Sequence, residues 1–215
     1  MRSYTVAARA SPLSQAQVME VEYLLRQVHH HTFSLRRVFQ KTYGDFDRKT
    51  SLRTLPVSDF FTREVDLLVQ QREADFAVHS AKDLPGQVPE QLIVVGMTQG
   101  LDPRDVVVLR QGLTQLFPGA KIGTSSPRRD VAVRVLEPAV EICDLRGTIQ
   151  ERLQRLEEDL DGVVMAECAL LRLGLAHLPR LYLKRDAALH QGRLAITARV
   201  DRPDLISWLR PVCVG

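Results

Sequence analysis

Arg9, Lys82, Arg128, Arg129 and Arg146 each come just after a short apolar run that reads as a buried strand. Small hydroxyl residues accompany them: Ser11 beside Arg9, Thr124-Ser125-Ser126 ahead of Arg128, and Thr148 after Arg146. In open α/β sheets, ligands sit beyond the carboxyl ends of the strands, where helix N-termini expose unpaired N–H groups. These cations and hydroxyls are therefore expected along one rim, with Arg152 one and a half turns into the following helix. A guanidinium grips a carboxylate through two parallel hydrogen bonds. The chemistry implied is capture of a ligand with several negative groups, carboxylates above all. Any one of these arginines reads equally well as a solvated surface residue; five cations at successive strand ends are hard to assign to chance. Arg128-Arg129 also fall in the first turn of a helix, where positive charge opposes the helix dipole. A bound anion would relieve that conflict.

Asp83, next to Lys82, is the one acid expected inside this rim. A carboxylate there could stabilise a developing cation or move protons, although a structural ion pair or a helix cap would account for it as well. Asp45, in a polar stretch, is a weaker candidate. His79 ends a buried strand and reads as a satisfied core histidine. Cys143 and Cys168 lie in apolar surroundings and read as core thiols. The run His29-His30-His31 closes a helix, and no metal site is expected. No P-loop, dinucleotide fingerprint or Ser-His-Asp arrangement in a helpful context is present.

The elements that must position these residues alternate. Tyr4–Ala8 reads as a strand, followed by Ser11-Pro12 as N-cap and first helical residue of a helix with Val18, Val21, Leu24, Leu25 and Val28 at helical spacing. Phe33–Val38, Asp75–His79, Leu92–Met97, Val106–Leu109, Ala120–Gly123, Val140–Asp144, Gly162–Ala166 and Leu194–Ala198 read as further strands. Ser58 is expected to cap a helix to about Gln71, Ser126-Pro127 to open one to about Val135, Thr148 one to Leu156, and Pro203 a closing helix to Leu209. Residues 41–56 read as a mobile loop. Alternating strands and helices imply an α/β chain with largely parallel sheets, and a break near Gln99–Pro103 implies two small lobes.

Composition narrows the classes. The 215 residues are 45% hydrophobic and 26% charged, ordinary for a globular chain and too apolar for a disordered one. The net charge of +3 is too small to argue for nucleic acid. Only five of the 29 basic residues are lysines (Lys41, Lys49, Lys82, Lys121, Lys184), so 24 are arginines. Neither a membrane span nor a signal peptide is expected, and three scattered cysteines imply neither a disulfide framework nor a zinc cluster. A cytoplasmic location follows as the expectation.

These residues resemble the hydroxymethylbilane synthase (porphobilinogen deaminase) family of the haem pathway. The matching segments are Ala8–Leu13, Val78–Pro85, Asp102–Asp105, Gly123–Arg129, Leu145–Gly147 through Arg152-Leu153, Leu171–Leu175, and Gln191-Gly192 followed by Leu194–Ile196. The resemblance implies two lobes like those of type II periplasmic binding proteins with an interdomain cleft, the first about 1–99 plus 199–215 and the second about 100–198. It implies a transferase of tetrapyrrole biosynthesis that polymerises porphobilinogen with loss of ammonia on a dipyrromethane cofactor, acting as a monomer with no partner beyond its small-molecule substrate. By position, Asp83 resembles the catalytic aspartate. Lys82, Ser126, Arg128 and Arg129 resemble residues holding cofactor carboxylates, with Thr124 and Ser125 in the same turn, and Arg9, Ser11, Arg146, Arg152 and Arg172 resemble those holding substrate or growing chain.

Two departures stand out. Thr54–Asp59 replaces the family's glycine-and-lysine loop, and the chain stops where a third domain, carrying the cofactor cysteine, is expected to begin. None of Cys143, Cys168 and Cys213 sits in that cysteine's motif. Three alternatives follow: a dipyrromethane held without a covalent bond, attachment through another cysteine such as Cys213, or a protein, impaired as an enzyme, that no longer makes the tetrapyrrole. The rival readings are a non-catalytic two-lobed protein binding a polycarboxylate or porphyrin precursor, and an effector-binding module of a transcription factor.

Overall fold

The structure, a computed structural model, describes residues 2–30, 32–47, 53 and 59–214. In chain order the elements are β1 (Arg2–Arg9), α1 (Pro12–His29), β2 (Phe33–Gln40), α2 (Tyr43–Phe46), α3 (Arg63–Gln70), β3 (Phe76–Ser80), a 3-10 turn (Ala81–Asp83), β4 (Leu92–Met97), β5 (Asp105–Leu109) and β6 (Lys121–Gly123). There follow α4 (Pro127–Leu136), β7 (Glu141–Cys143), α5 (Ile149–Glu158), β8 (Gly162–Ala166), α6 (Glu167–Arg172), β9 (Arg180–Tyr182), β10 (Leu194–Arg199) and α7 (Pro203–Leu209). The chain divides into two units, Met1–Phe46 with Val57–Leu101 and Gly192–Gly215, and Asp47–Pro56 with Asp102–Gln191.

The first unit holds a five-stranded sheet in the order β2-β1-β3-β10-β4. β1 runs parallel to β2 and β3. Its alternation sends Tyr4, Val6 and Ala8 to one face, where they meet Val18, Val21 and Leu25 of α1 and Leu205 and Trp208 of α7. Ala7 points to the other face, against Val65 and Val69 of α3. Each such fully buried side chain contributes about 1.5–3 kcal/mol, so apolar periodicity dictates where the helices dock. Ser11 caps α1 by accepting the Ser14 N–H, with Pro12 in the first helical turn.

Two expectations change here. The apolar run at 194–198, expected in the second lobe, forms β10 in the first sheet, antiparallel to both β3 and β4. All six β10 residues are buried, as an interior strand requires. Gly192 makes the approach possible: its φ is +93°, and a Cβ there would overlap the Leu101 carbonyl, whose own N–H donates to Gly192 O at 3.1 Å. The stretch read as a mobile loop contains the helical turn α2, fixed by Asp45 as described below. Ser58 and Thr54–Val57 lie outside the described residues; α3 begins at Arg63, after Thr62.

The second unit holds the sheet β7-β6-β8-β5-β9. β6 is parallel to β7 and β8, whereas β5 is antiparallel to β8 and β9. Both sheets are thus mixed rather than largely parallel, and β9 was not expected at all. One face packs against Ala132 and Val133 of α4, the other against Leu156 of α5 and Leu170 of α6. Thr148 and Glu151 form a reciprocal capping box that starts α5.

Candidate functional site

In the first unit the site residues gather where β1 and β3 end. Arg9, Ser11, Phe61, His79, Ser80 and Asp83 line one small hollow. Arg9, the last residue of β1, is held by Asp45 of α2: Nε lies 3.0 Å and Nη2 2.6 Å from Oδ1. Its guanidinium also lies over the Phe61 ring, 4.5 Å from the centroid. Asp45 accepts the Thr42 N–H at 2.9 Å as well. Burial pushes its carboxyl up, but Arg9 and Thr42 more than reverse this and hold it below the usual carboxylate range. The candidate Asp45 is therefore the counter-ion of Arg9. Ser11 is buried and its hydroxyl is engaged in capping α1.

Asp83 differs from these. It closes the 3-10 turn after β3, a turn fixed by the Ala81 N–H on Arg193 O at 3.1 Å and by Gln17 Nε2 donating to Ser80 Oγ at 2.8 Å. Its half-buried carboxylate accepts no hydrogen bond and forms no ion pair among the described residues. Lys82 beside it is exposed. His79 is a core histidine as expected, with Nε2 3.0 Å from Asp66 Oδ1 and 3.3 Å from Thr197 Oγ1.

In the second unit the turn after β6 is heavily cross-linked. Thr124 is buried and its Oγ1 accepts the Ser126 N–H at 3.2 Å. Ser125 Oγ donates to Leu145 O at 2.5 Å and accepts the Leu145 N–H at 2.9 Å. These two hydroxyls, expected on a ligand, shape the turn instead, because a buried hydroxyl must find partners inside the protein. Ser126 caps α4 and is only partly buried.

Arg128 and Arg129 share one acid that sequence reasoning did not assign to the site. Asp105, at the head of β5, takes Arg128 Nη2 on Oδ2 at 2.5 Å and Arg129 Nη2 on Oδ1 at 2.7 Å, while Gln191 Nε2 lies 2.9 Å from Oδ1. The conflict between these cations and the helix dipole is thus answered within the protein. Asp83 is not the lone acid of the expected rim. The signal was available: an acid opening the otherwise apolar run Asp105–Leu109 is a buried charge, and a buried charge needs cationic partners.

Arg146 Nη2 donates to Asp47 O at 2.7 Å, and Arg152 Nε to Gly147 O at 2.9 Å. Arg53 reaches the same turn, with Nη2 3.2 Å from Thr124 O and from Asp130 Oδ2. Arg172 is the last, half-buried residue of α6.

The thiols are poor nucleophiles. Burial pushes Cys143 and Cys213 up, and Cys168 is buried. Cys213 packs against the first sheet's apolar face, so its setting opposes the thiolate that a covalent attachment requires. Among the described residues no cluster of three or more His, Cys, Asp or Glu could hold a metal ion. None of the described helices is long and apolar enough to cross a membrane.

Residues 4–207 match the family model described as "Porphobilinogen deaminase, dipyromethane cofactor binding domain". The chain belongs to the porphobilinogen deaminase family. It is 41% identical over 211 residues to the porphobilinogen deaminase of Caldicellulosiruptor saccharolyticus, covering 94% of this chain and 71% of that relative. It is 40% identical over 200 residues to a probable porphobilinogen deaminase of Chlamydia muridarum, covering 90% and 80%. Among solved structures it is similar to the methionine-binding protein MetQ (TM-score 0.60, 12% identity, 98% of this chain and 89% of that one). It is also similar to the reduced OxyR regulatory domain of Pseudomonas aeruginosa (TM-score 0.53, 12% identity, 98% and 96%). Those two likenesses bear on the fold alone, an α/β chain with two lobes of the periplasmic-binding-protein kind. Porphobilinogen deaminases are transferases of haem biosynthesis, and membership of the family favours an enzyme over the non-catalytic binding protein. Two guanidiniums set against one carboxylate at Asp105, with the Ser126 hydroxyl beside them, form a donor set that fits the carboxylates of a dipyrromethane.

Proposed function

We propose that this chain condenses porphobilinogen molecules head to tail with release of ammonia, Asp83 serving the reacting pyrrole and arginines holding carboxylates. In each step the aminomethyl group leaves from its protonated, ammonium form: the carbon–nitrogen bond breaks with its electron pair going to nitrogen, and ammonia departs. The cationic methylene pyrrole left behind is attacked by the α-carbon of another pyrrole, which then gives up its proton. A carboxylate without a partner of its own stabilises such a cation and accepts its pyrrole N–H; one already neutralised by an arginine would not. That Asp83 has no hydrogen-bond or ion-pair partner among the described residues is the observation that carries this reading.

Dipyrromethane, when bound, supplies the pyrrole end from which the product grows. Ser126, Arg128, Arg129 and Lys82 would hold its acetate and propionate groups, and Arg9, Ser11, Arg146, Arg152 and Arg172 those of substrate and growing chain. Holding each ring by its carboxylates fixes the reacting carbons in place, a contribution of proximity rather than of acid–base chemistry. The raised Cys143 and Cys213 thiols and the buried Cys168 support ionic rather than thioether retention by this chain.

The test combines intact mass, Ehrlich's reagent for a bound dipyrrole, and porphobilinogen consumption. Turnover in the intact protein, lost in Asp83→Ala with porphobilinogen binding kept, supports the proposal. Binding without turnover in the intact protein overturns it.

A further inference from the structure

Asp105 is a carboxylate with an unusual claim on the site. Its side chain is 2% exposed, and it heads a strand whose five residues are all buried. Taking a carboxylate out of water is costly unless charge and hydrogen bonds both compensate. Four N–H donors do so. Arg129 Nε and Nη2 lie 3.1 and 2.7 Å from Oδ1, Gln191 Nε2 2.9 Å from Oδ1, and Arg128 Nη2 2.5 Å from Oδ2. Arg128 Nη1 is fixed in turn by the Asp186 carbonyl at 2.7 Å, and Gln191 by the Pro103 carbonyl at 2.6 Å.

A guanidinium offers five N–H groups in a rigid plane. With these bonds made, Arg128 Nε and Arg129 Nη1 have no hydrogen-bond acceptor among the described residues. One carboxylate against two guanidiniums also leaves one surplus positive charge. We infer that Asp105 is a positioning residue: it locks both guanidiniums so that Arg128 Nε and Arg129 Nη1 are left to receive ligand carboxylates. This rests on the proposed reading of Arg128 and Arg129 as carboxylate-binding residues. The opposite role, a carboxylate that competes with the ligand for the same forks, makes the opposite prediction.

Asp105→Asn removes the charge yet keeps one acceptor for Arg129 and Gln191, while its amide turns N–H groups toward Arg128. Calorimetric titration of the dipyrromethane-free protein with dipyrromethane should show the dissociation constant rising about tenfold, the size of one lost charge-assisted contact. That rise should disappear when Asp105→Asn is made on top of Arg128→Ala and Arg129→Ala, because a positioning residue acts only through what it positions. Additive losses, unchanged binding or tighter binding in Asp105→Asn, with the arginine variants themselves weakened, would overturn the inference and leave the functional reading standing. Arginine variants that bind as tightly as the parent would overturn the reading itself. Gln191→Met, which removes one donor and no charge, serves if Asp105→Asn does not fold. A rise of about threefold supports the positioning role, scaled from the same contact energy, and unchanged affinity overturns it.

Discussion

The hollow in the first unit and the turn in the second divide their charges in opposite ways. Around the hollow, Arg9 is matched by Asp45 and the carboxylate of Asp83 is left over. At the turn, Arg128 and Arg129 share Asp105, so one of their two positive charges is left over. An unmatched acid suits a reaction that develops positive charge, and an unmatched cation suits the grip on a carboxylate. Loss of Asp83 and loss of Arg128 or Arg129 are therefore expected to separate chemistry from the grip on carboxylates.

Asp83→Ala gives the largest expected effect. Turnover should fall on the order of 10²–10⁴-fold, as when a single group that stabilises developing charge is removed. Porphobilinogen affinity and thermal stability should barely change, because Asp83 has no partner to lose among the described residues and surface changes of that kind stay within about 0.5 kcal/mol. Arg128→Ala and Arg129→Ala should show the reverse, with dipyrromethane affinity falling by about 1.5–3 kcal/mol each and less effect on turnover once dipyrromethane is saturating. Equal losses of kcat and affinity in all three variants would erase the distinction between the units.

Stability should divide along the same line. Asp105→Ala strands two guanidiniums, with Arg129 at 12% exposure the more deeply buried, and should cost about 3–5 kcal/mol, as when one partner of a buried ion pair is removed. Chemical denaturation with an unchanged slope would measure it. A loss under 1 kcal/mol would mean that Asp105 is solvated and not the organiser of the turn.

The parts of the site legible in the sequence were those set by neighbours along the chain. Ser11-Pro12 and Ser126-Pro127 mark helix starts through capping chemistry confined to four residues, and both cap as expected. Asp83 was singled out because it follows directly on a buried strand. What remained hidden was pairing between distant segments. Asp105 reaches Arg128 across 23 positions and Gln191 across 86, and Asp45 reaches Arg9 across 36; no local spacing announces any of these. The same limit explains β10, since an apolar run of six carries no mark of which sheet will receive it. Thr124 and Ser125 misled for a related reason: a hydroxyl in a turn looks the same whether it faces a ligand or the Leu145 backbone.

Acid offers a finer test of the comparison. Burial pushes the Asp105 carboxyl up, but the Arg129 charge, with Gln191 and Arg128, more than reverses this and holds it below the usual range. A depressed carboxylate contributes stability that is fully present above its unfolded value of about 3.9 and is lost as the pH falls through the lower folded value. Asp45 contributes in the same direction in the first unit. The melting temperature followed downward from pH 6 should therefore drop below pH 4, and Asp105→Asn should flatten that drop while starting from a lower melting temperature. An unchanged acid limb in Asp105→Asn would mean that its ionisation is not coupled to folding.

The smallest expected effect concerns Cys213, which belongs with neither charge pattern. Its residue packs where Gly96 has no side chain: a Cβ on Gly96 would lie 2.6 Å from the Cys213 Cβ. Val214 then pairs with Met97, its N–H donating to Met97 O at 2.7 Å. A thiol so placed has a filling role, and burial keeps it protonated at neutral pH. Cys213→Ala should cost on the order of 1 kcal/mol of stability, a small packing loss, and leave both the Ehrlich-positive material and porphobilinogen consumption unchanged. Loss of bound dipyrrole from this variant at full stability would instead make Cys213 the attachment point.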